Sequence, residues 1–361
     1  MLQEALSLLQ DEESVLKTAE ENIKAHPALL EKVLQDRLER APSDSDRQFL
    51  EGGLCALDQL PVSSVARSRI ALLTASYALR LGDKAGSERC LLEAFRSQTT
   101  VLNYLRLRFL TEDWEKYRTQ TREIFTEMYL AAGDIKNRCH MYHPEGENVL
   151  DGRDCCCIFF FQQDFEKMLD TGMQTKKALG WSSTFMKEGI ALMLLLLDQG
   201  DGHGMGMKNM LSRAMDACGF DAGEFFKGTA LEIRRPAEED KISFAEEIVH
   251  VREDGPHSKE VFADLFRSWK KEVRISESDT ALWIERIDRW IERRVEGIMN
   301  ANRRNYYAEC ASFIAAFGEM LESRGTTGAK AQIMERYRAA YPRRRAFHGD
   351  LYTYGMRRKK R

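Results

Sequence analysis

The apolar residues between Ala281 and Leu351 recur at the spacing of an α-helix. In the first part of this range they follow one another at steps of three, four and one residue, which places them on a single helical face. These residues are Trp283, Ile287, Trp290, Ile291, Val295 and Ile298. The pattern restarts at Tyr307 and again at Ile333, each time after a short turn. We therefore predict three consecutive amphipathic helices, each of which must pack antiparallel against a neighbour to bury its apolar face.

The preceding chain carries the same helical spacing, so the predicted fold class is all-α. His26 and Pro27 predict a break between two helices near the N-terminus, because the residue before a proline is disfavoured in the helical conformation. The apolar run from Ile190 to Leu197 predicts a helix with almost no polar face, which should lie in the interior of the fold.

A helical hairpin is predicted from Ser68 to Gln98. At its centre, Leu79-Arg-Leu-Gly-Asp83 supplies a glycine suited to the end of one helix and an aspartate suited to the start of the next. Ala75 and Ser87 are small where the two helices would touch. In these features the segment resembles the tetratricopeptide (TPR) repeat, with Ala78 standing where that family has an aromatic residue.

The same Leu-x-x-Gly-Asp pattern returns at Leu130 to Asp134 and at Leu197 to Asp201. The resemblance implies antiparallel helical hairpins stacked as an irregular TPR-like α-solenoid. From Asp221 to Lys259 the helical periodicity fades and charged residues dominate. We therefore predict a helical-repeat region at 1–228, a linker or insertion at 229–258, and a C-terminal helical block with a basic tail at 259–361.

Residues Tyr307 to Leu351 form a second recognisable pattern. A helix of small residues is followed by a turn, a second helix and the closing sequence Arg343-Arg-Arg-Ala-Phe347. In this arrangement they resemble the C-terminal helical region of bacterial SWIM-type zinc-finger proteins. The zinc-finger motif of that family, a Cys-x-Cys pair followed by Cys-x-His, does not occur in the sequence. The resemblance therefore implies a helical fold and assigns no zinc-binding or DNA-binding role to any residue.

Composition places the chain among globular proteins, with 43% hydrophobic and 31% charged residues. The longest apolar run, Ile190 to Leu197, is far shorter than the roughly 20 residues that cross a bilayer. The first residues show no basic region followed by an apolar core, as a secretory signal would. The eight cysteines, three of them consecutive, do not resemble a disulfide framework. From these features we expect a cytoplasmic protein.

Basic residues are concentrated near the C-terminus. From Ser323 to Arg361 there are 12 basic and 2 acidic residues, so this end carries a formal charge of +10 and the remainder −13. Such a segment is either solvated, docked on acidic protein surface, or in contact with phosphates. The residues predicted for anion or nucleic-acid contact are Arg343, Arg344, Arg345, Arg357, Arg358, Lys359, Lys360 and Arg361.

The richest set of potential metal ligands consists of Cys139, His140, His143 and Cys155 to Cys157, because thiolates and imidazoles bind zinc. Their spacing matches none of the standard zinc patterns. Alternatively, Cys155-Cys-Cys-Ile-Phe-Phe-Phe161 begins a buried apolar helix in which cysteine acts as a small hydrophobic residue. The second interpretation is favoured, and no metal or cofactor is predicted.

The glycine-rich stretch from Gly200 to Lys208 resembles a phosphate-binding loop in composition. It lacks the G-x-x-x-x-G-K-[ST] spacing and follows a predicted helix rather than a strand, so a turn between helices is favoured. The G-x-S-x-G and H-E-x-x-H motifs are absent from the sequence, and no catalytic residue is predicted.

Three functions from different classes follow from these patterns. The preferred prediction is a non-enzymatic helical-repeat scaffold or adaptor that binds a partner protein or peptide. The alternative is a nucleic-acid-associated accessory module that uses the basic C-terminal segment. A third is an enzyme with a site near Cys139 to Cys157.

Overall fold

The structure is a computed structural model that describes residues 12–132, 148–174, 184–200, 202, 204–227 and 258–356. Most of these residues lie in helices. These ranges contain 17 α-helices, one short 3-10 turn and no β-strand. The prediction of an all-α fold is confirmed for this part of the chain. Residues 228–257 lie outside it, so the linker at 229–258 and the division on either side of it stay predictions.

The helices are numbered here in chain order. They are α1 (Glu12–Glu21), α2 (Pro27–Leu38), α3 (Asp46–Gln59), α4 (Val65–Arg80), α5 (Lys84–Ser97), α6 (Val101–Leu110), α7 (Trp114–Ala132), α8 (Gly152–Phe161), α9 (Phe165–Gln174), α10 (Thr184–Leu197), α11 (Met205–Ala217), α12 (Ala222–Phe225), α13 (Ser258–Glu272), α14 (Glu277–Asn300), α15 (Tyr307–Ser323), α16 (Ala329–Ala340) and α17 (Arg345–Thr353). The 3-10 turn is Arg304–Tyr306.

The described residues divide into two compact units. The first unit holds 12–132, 148–154, 220–227 and 258–261, and the second holds the other described residues. Helices α1 to α7 and α12 therefore belong to the first unit, and α9 to α11 and α14 to α17 to the second. The boundary falls inside α8 and α13.

In the first unit, each helix from α1 to α6 packs against the next one in the chain, up to α7. In addition, α1 packs against α3, α2 against α4, and α5 against α7. The most extensive packing in this run therefore joins helices that are neighbours or next neighbours in the sequence. The predicted break before Pro27 is confirmed, because α1 ends at Glu21 and α2 begins at Pro27.

The hairpin of α4 and α5 is built as its sequence predicts. Gly82 has a φ of 78°, in the left-handed region that glycine adopts without strain. The Asp83 carboxylate accepts a hydrogen bond of 2.8 Å from the backbone N–H of Gly86, which caps the start of α5. Ala75 and Ser87 are both buried, and their small side chains permit close packing of the two helices.

In the second unit, α15 is the central helix, in contact with α10, α11, α14, α16 and α17. Every residue from Cys310 to Phe317 is buried. A Cβ atom at Gly206 of α11 would collide with the backbone of Ala316, and one at Gly318 would collide with the backbone of Lys330. Glycine at these two positions therefore lets α11 and α16 approach α15 closely.

The predicted helices of the second unit are confirmed. The three amphipathic segments that begin near 281, 307 and 333 correspond to α14, α15 and α16. In α10, Ile190 to Leu194 are buried, as expected for a helix without a polar face. The indole N–H of Trp269 donates a hydrogen bond of 2.9 Å to the carbonyl of Phe161 and so satisfies a buried polar group.

Candidate functional site

Two connections, 301–306 between α14 and α15 and 341–344 between α16 and α17, lie together at one end of the second unit. Arg344 joins them. Its Nη1 donates to Oδ1 of Asn302 at 2.6 Å, and its Nη2 donates to the carbonyl of Met299 at 2.7 Å. The second bond reaches a carbonyl in the last turn of α14, which also accepts from the backbone N–H of Asn302 at 3.2 Å.

Arginines dominate the surface of these two connections. Arg303 and Arg304 are exposed in the first, and Arg343 and Arg345 are exposed at the second and at the start of α17. Neither connection contains an acidic residue. We call these four arginines, together with Tyr306, the arginine end.

The residues predicted for anion contact differ in their exposure and in their hydrogen bonds. Arg343 and Arg345 are exposed, as anion binding requires, whereas the guanidinium of Arg344 is already bound to Asn302 and Met299. Arg357, Arg358, Lys359, Lys360 and Arg361 lie outside the described residues. Sequence reasoning missed Arg303 and Arg304. The available signal was a pair of arginines in a turn between two amphipathic helices, but only the fold places that turn beside 341–344.

The aromatic ring of the arginine end is Tyr306, which is 41% exposed. The guanidinium carbon of Arg294 lies 5.0 Å from the centre of this ring, within the range of a cation–π interaction. Arg294 is itself held by a buried ion pair, with Nη2 2.7 Å and Nε 2.9 Å from Oε1 of Glu309. The ring therefore rests on a side chain that the core keeps in place.

The glycine-rich stretch that resembles a phosphate loop is occupied by a carboxylate of its own chain. Glu319 of α15 accepts hydrogen bonds from the backbone N–H groups of Gly206 at 3.2 Å and Met207 at 2.8 Å, in the first turn of α11. Lys330 donates to the same carboxylate at 2.6 Å. Two of the donors that would hold a phosphate are thus already paired, in agreement with the favoured interpretation as a turn. Asp201 and His203 lie outside the described residues.

The C-terminus of α10 is capped by two cations. Lys270 donates to the carbonyls of Leu195, at 2.7 Å, and of Asp198, and Arg324 donates to the carbonyl of Leu197 at 3.0 Å. Burial lowers the pKa of Lys270, while the negative charge of Asp198 acts in the opposite direction. These cations neutralise the partial negative charge at the end of the helix and have a structural role.

The consecutive cysteines lie in a buried apolar helix, which confirms the favoured interpretation of that segment. Cys155, Cys156 and Cys157 are fully buried in α8. Among the described residues, no group of three or more His, Cys, Asp or Glu side chains is arranged to hold a metal ion. Cys139, His140 and His143 fall outside those residues, so their part in the metal alternative is not described by the structure.

A shallow, open groove lies along the exposed face of α7 in the first unit, and only side chains of this helix line it. The side chains that line it are polar and of both charges: Glu115, Arg118, Thr119, Arg122, Glu123, Thr126 and Glu127. Arg118 pairs with Glu115 at 3.2 Å, and both side chains are largely exposed. Such a surface pair is weak, so a ligand can replace it at little cost. Leu130, near the end of the same helix, is 72% exposed.

Comparison with known proteins adds no family assignment. No family model, no curated protein and no solved structure matches the chain. In the portion that the structure describes, none of the helices combines the length and the apolar character needed to cross a bilayer.

Proposed function

We propose that the chain is a non-enzymatic helical-repeat scaffold that binds a partner peptide along the exposed face of α7. The observation that carries this proposal is the packing order of the first unit. Successive helices from α1 to α7 pack against each other, and three pairs of next neighbours, α1 with α3, α2 with α4 and α5 with α7, are also packed together. Packing of this kind is typical of solenoid repeats, whose stacked helices present extended surfaces to a ligand. It supports the irregular TPR-like α-solenoid that the sequence predicts.

The groove on α7 is the surface best suited to such a ligand. Arg118 and Arg122 lie one turn apart on the exposed face, with Glu123 and Glu127 beside them. A peptide that carries both acidic and basic side chains would meet opposite charges along this face. Leu130 adds an apolar contact at the end of the groove.

Peptide display followed by calorimetry tests this proposal. We expect the intact protein to enrich a set of related peptides, and a representative peptide to bind with 1:1 stoichiometry. Replacement of Arg118 and Arg122 by Glu should weaken that binding at least about 10-fold, since charge reversal places like charges opposite the acidic residues of the peptide. The matched control replaces Arg47 and Arg69, exposed residues of α3 and α4, by Glu and should leave binding unchanged.

A photo-crosslinking amino acid at Thr119 or Thr126 provides the second measurement. A scaffold that uses this groove should crosslink the selected peptide from either position and not from Arg47. If no peptide is enriched, or if the Arg47 and Arg69 variant loses binding to the same extent as the groove variant, the proposal is wrong.

A further inference from the structure

The arginine end is a second surface with a chemistry of its own, independent of the groove on α7. All four of its arginines are exposed: Arg303, Arg304, Arg343 and Arg345. The connections 301–306 and 341–344 contain no acidic residue. Guanidinium groups suit phosphate recognition because they are always charged and donate two parallel hydrogen bonds. Four of them at one end of the second unit concentrate positive charge that attracts the phosphates of a polyanion.

The geometry of these arginines is held by the fold. Arg344 ties the two connections together through its bonds to Asn302 and Met299, so the arginines on either side of it are presented from anchored backbone. Phe347, the first buried residue of α17, packs edge-on against Tyr307 at 5.8 Å between ring centres. Because both connections are anchored, little backbone entropy is lost when a ligand binds.

The exposed ring of Tyr306 indicates which class of polyanion this surface binds. Its ring is 41% exposed and is supported by Arg294, whose own position is set by the buried pair with Glu309. A supported and exposed aromatic ring beside phosphate-binding groups is the arrangement on which unpaired bases stack. We propose that the arginine end binds single-stranded nucleic acid, with the arginines on its phosphates and Tyr306 stacked against a base.

Two rival ligands fit the surface less well. A DNA duplex keeps its bases stacked on each other and leaves the Tyr306 ring without a partner. An anionic membrane attracts the same charges, but stable attachment needs several apolar side chains that enter the lipid. Among the exposed large hydrophobic residues of the described chain, only Tyr306 belongs to this surface.

Fluorescence anisotropy of the full chain with a labelled oligo(U) 20-mer, from 50 to 200 mM salt, tests the proposal. We expect Arg303→Gln with Arg304→Gln to weaken binding at least about 10-fold. Since each phosphate contact on a single strand contributes about 0.7 to the slope of log K against log salt, loss of two contacts should make the slope shallower by about 1.4.

The matched control is the pair Arg267→Gln and Arg289→Gln, which removes the same charge from exposed positions on α13 and α14. It should leave both the affinity and the slope unchanged. Equal losses for the two pairs would mean that only net charge matters and would overturn the proposal. Far-UV circular dichroism and the melting temperature confirm that each variant is folded.

Substitution of the ring separates base stacking from phosphate binding. Tyr306→Ala should weaken binding to oligo(U) about 10-fold, whereas Tyr306→Phe keeps a ring and should bind as the wild type does. A 20-base-pair duplex should bind more weakly than the single strand and be insensitive to Tyr306→Ala. Equal sensitivity of both nucleic acids to Tyr306→Ala, or insensitivity of both, would contradict the stacking role.

Two further measurements exclude other sources of affinity. Deletion of 357–361 should leave the effects of the Arg303 and Arg304 substitutions in place. If the deletion abolishes binding and those substitutions have no effect, the tail is the binding element and the proposal fails. It also fails if vesicles with anionic headgroups bind with the same dependence on Arg303 and Arg304 while oligo(U) does not bind.

Discussion

The carboxylate of Glu319 lies 2.8 Å from the backbone nitrogen of Met207, so that a side chain of α15 caps the first turn of α11. The two residues are far apart in the sequence. Their contact places a negative charge where the exposed N–H groups of a helix are concentrated. Lys330 completes the arrangement by binding the same carboxylate at 2.6 Å.

Loss of this cap should destabilise the second unit. Glu319→Ala leaves two backbone donors and the ammonium of Lys330 without their acceptor, and we expect it to lower the free energy of unfolding by about 1–3 kcal/mol. Glu319→Gln keeps an acceptor and should cost less. Urea unfolding measures both. Glu285→Ala, which removes an exposed carboxylate of α14, is the control and should change stability by no more than about 0.5 kcal/mol.

Gly206 should tolerate no side chain. A Cβ atom there collides with the backbone of Ala316, which cannot move without displacing α15, so Gly206→Ala should destabilise by about 1–3 kcal/mol. Gly349→Ala in α17 is the matched control, because its Cβ would meet no atom within 4 Å. That variant should be neutral or more stable by up to about 1 kcal/mol, since alanine is the better helix former. Thermal unfolding that ranks the two variants in the opposite order would contradict the close approach of α11 and α15.

In the buried pair of Arg294 and Glu309, substitution of Arg294 alone should lower the stability of the protein more than substitution of both residues. Arg294→Met leaves the Glu309 carboxylate buried without its cation, which costs about 3–5 kcal/mol. Arg294→Met combined with Glu309→Leu removes both charges and should recover most of that loss. A double-mutant cycle from urea unfolding measures the coupling. Additive losses would show that the two side chains do not depend on each other.

The free energy of unfolding should depend on pH because of Asp154. Burial, and secondly the charge of Asp151, raise the pKa of the Asp154 carboxyl to about 7 in the folded chain, while the hydrogen bond from the backbone N–H of Val101 and the charge of Arg153 act in the opposite direction. The unfolded chain has the lower pKa. Between the two values the folded state therefore binds more protons, and its stability falls as pH rises from about 4 to about 7, by at most about 1.4 kcal/mol per unit.

Asp154→Asn should remove this dependence. The amide keeps an oxygen that can accept from Val101 and carries no charge at any pH. Urea unfolding of the wild type and of Asp154→Asn at several pH values between 4 and 7 gives the comparison. Parallel curves for the two proteins would show that other groups cause the dependence.

Thiol reactivity should distinguish the cysteines. Cys55 is exposed, whereas burial raises the pKa of Cys90 and of Cys310 to about 12, so their reactive thiolates are scarce at neutral pH. We expect Ellman's reagent to modify Cys55 rapidly in the folded protein and to reach Cys90 and Cys310 only after denaturant is added. Mass spectrometry of the labelled peptides identifies the sites. Rapid labelling of Cys310 in the native protein would contradict its burial in α15.

The elements of the fold could be predicted because their signals are local. The end of α4 and the start of α5 need only Gly82 in the left-handed region and Asp83 as a capping residue, both within a few positions of the helices they delimit. The burial of α10 follows from its composition alone. Helical spacing states which face of a helix is buried, but not which helix covers it.

The candidate surfaces were only partly predictable, because helical spacing does not state which helices lie next to each other. The sequence by itself determined the helical character of the described residues, the apolar faces of their helices and a basic C-terminal segment that contains Arg343 and Arg345. Only the tertiary structure decided that Arg344 is used to join two connections, and that Arg303, Arg304 and Tyr306 lie on the same end. The cap on α11 by Glu319 was decided in the same way. Contacts between distant residues leave no periodic trace, because they depend on how packed helices are ordered in space and not on the spacing within any one of them.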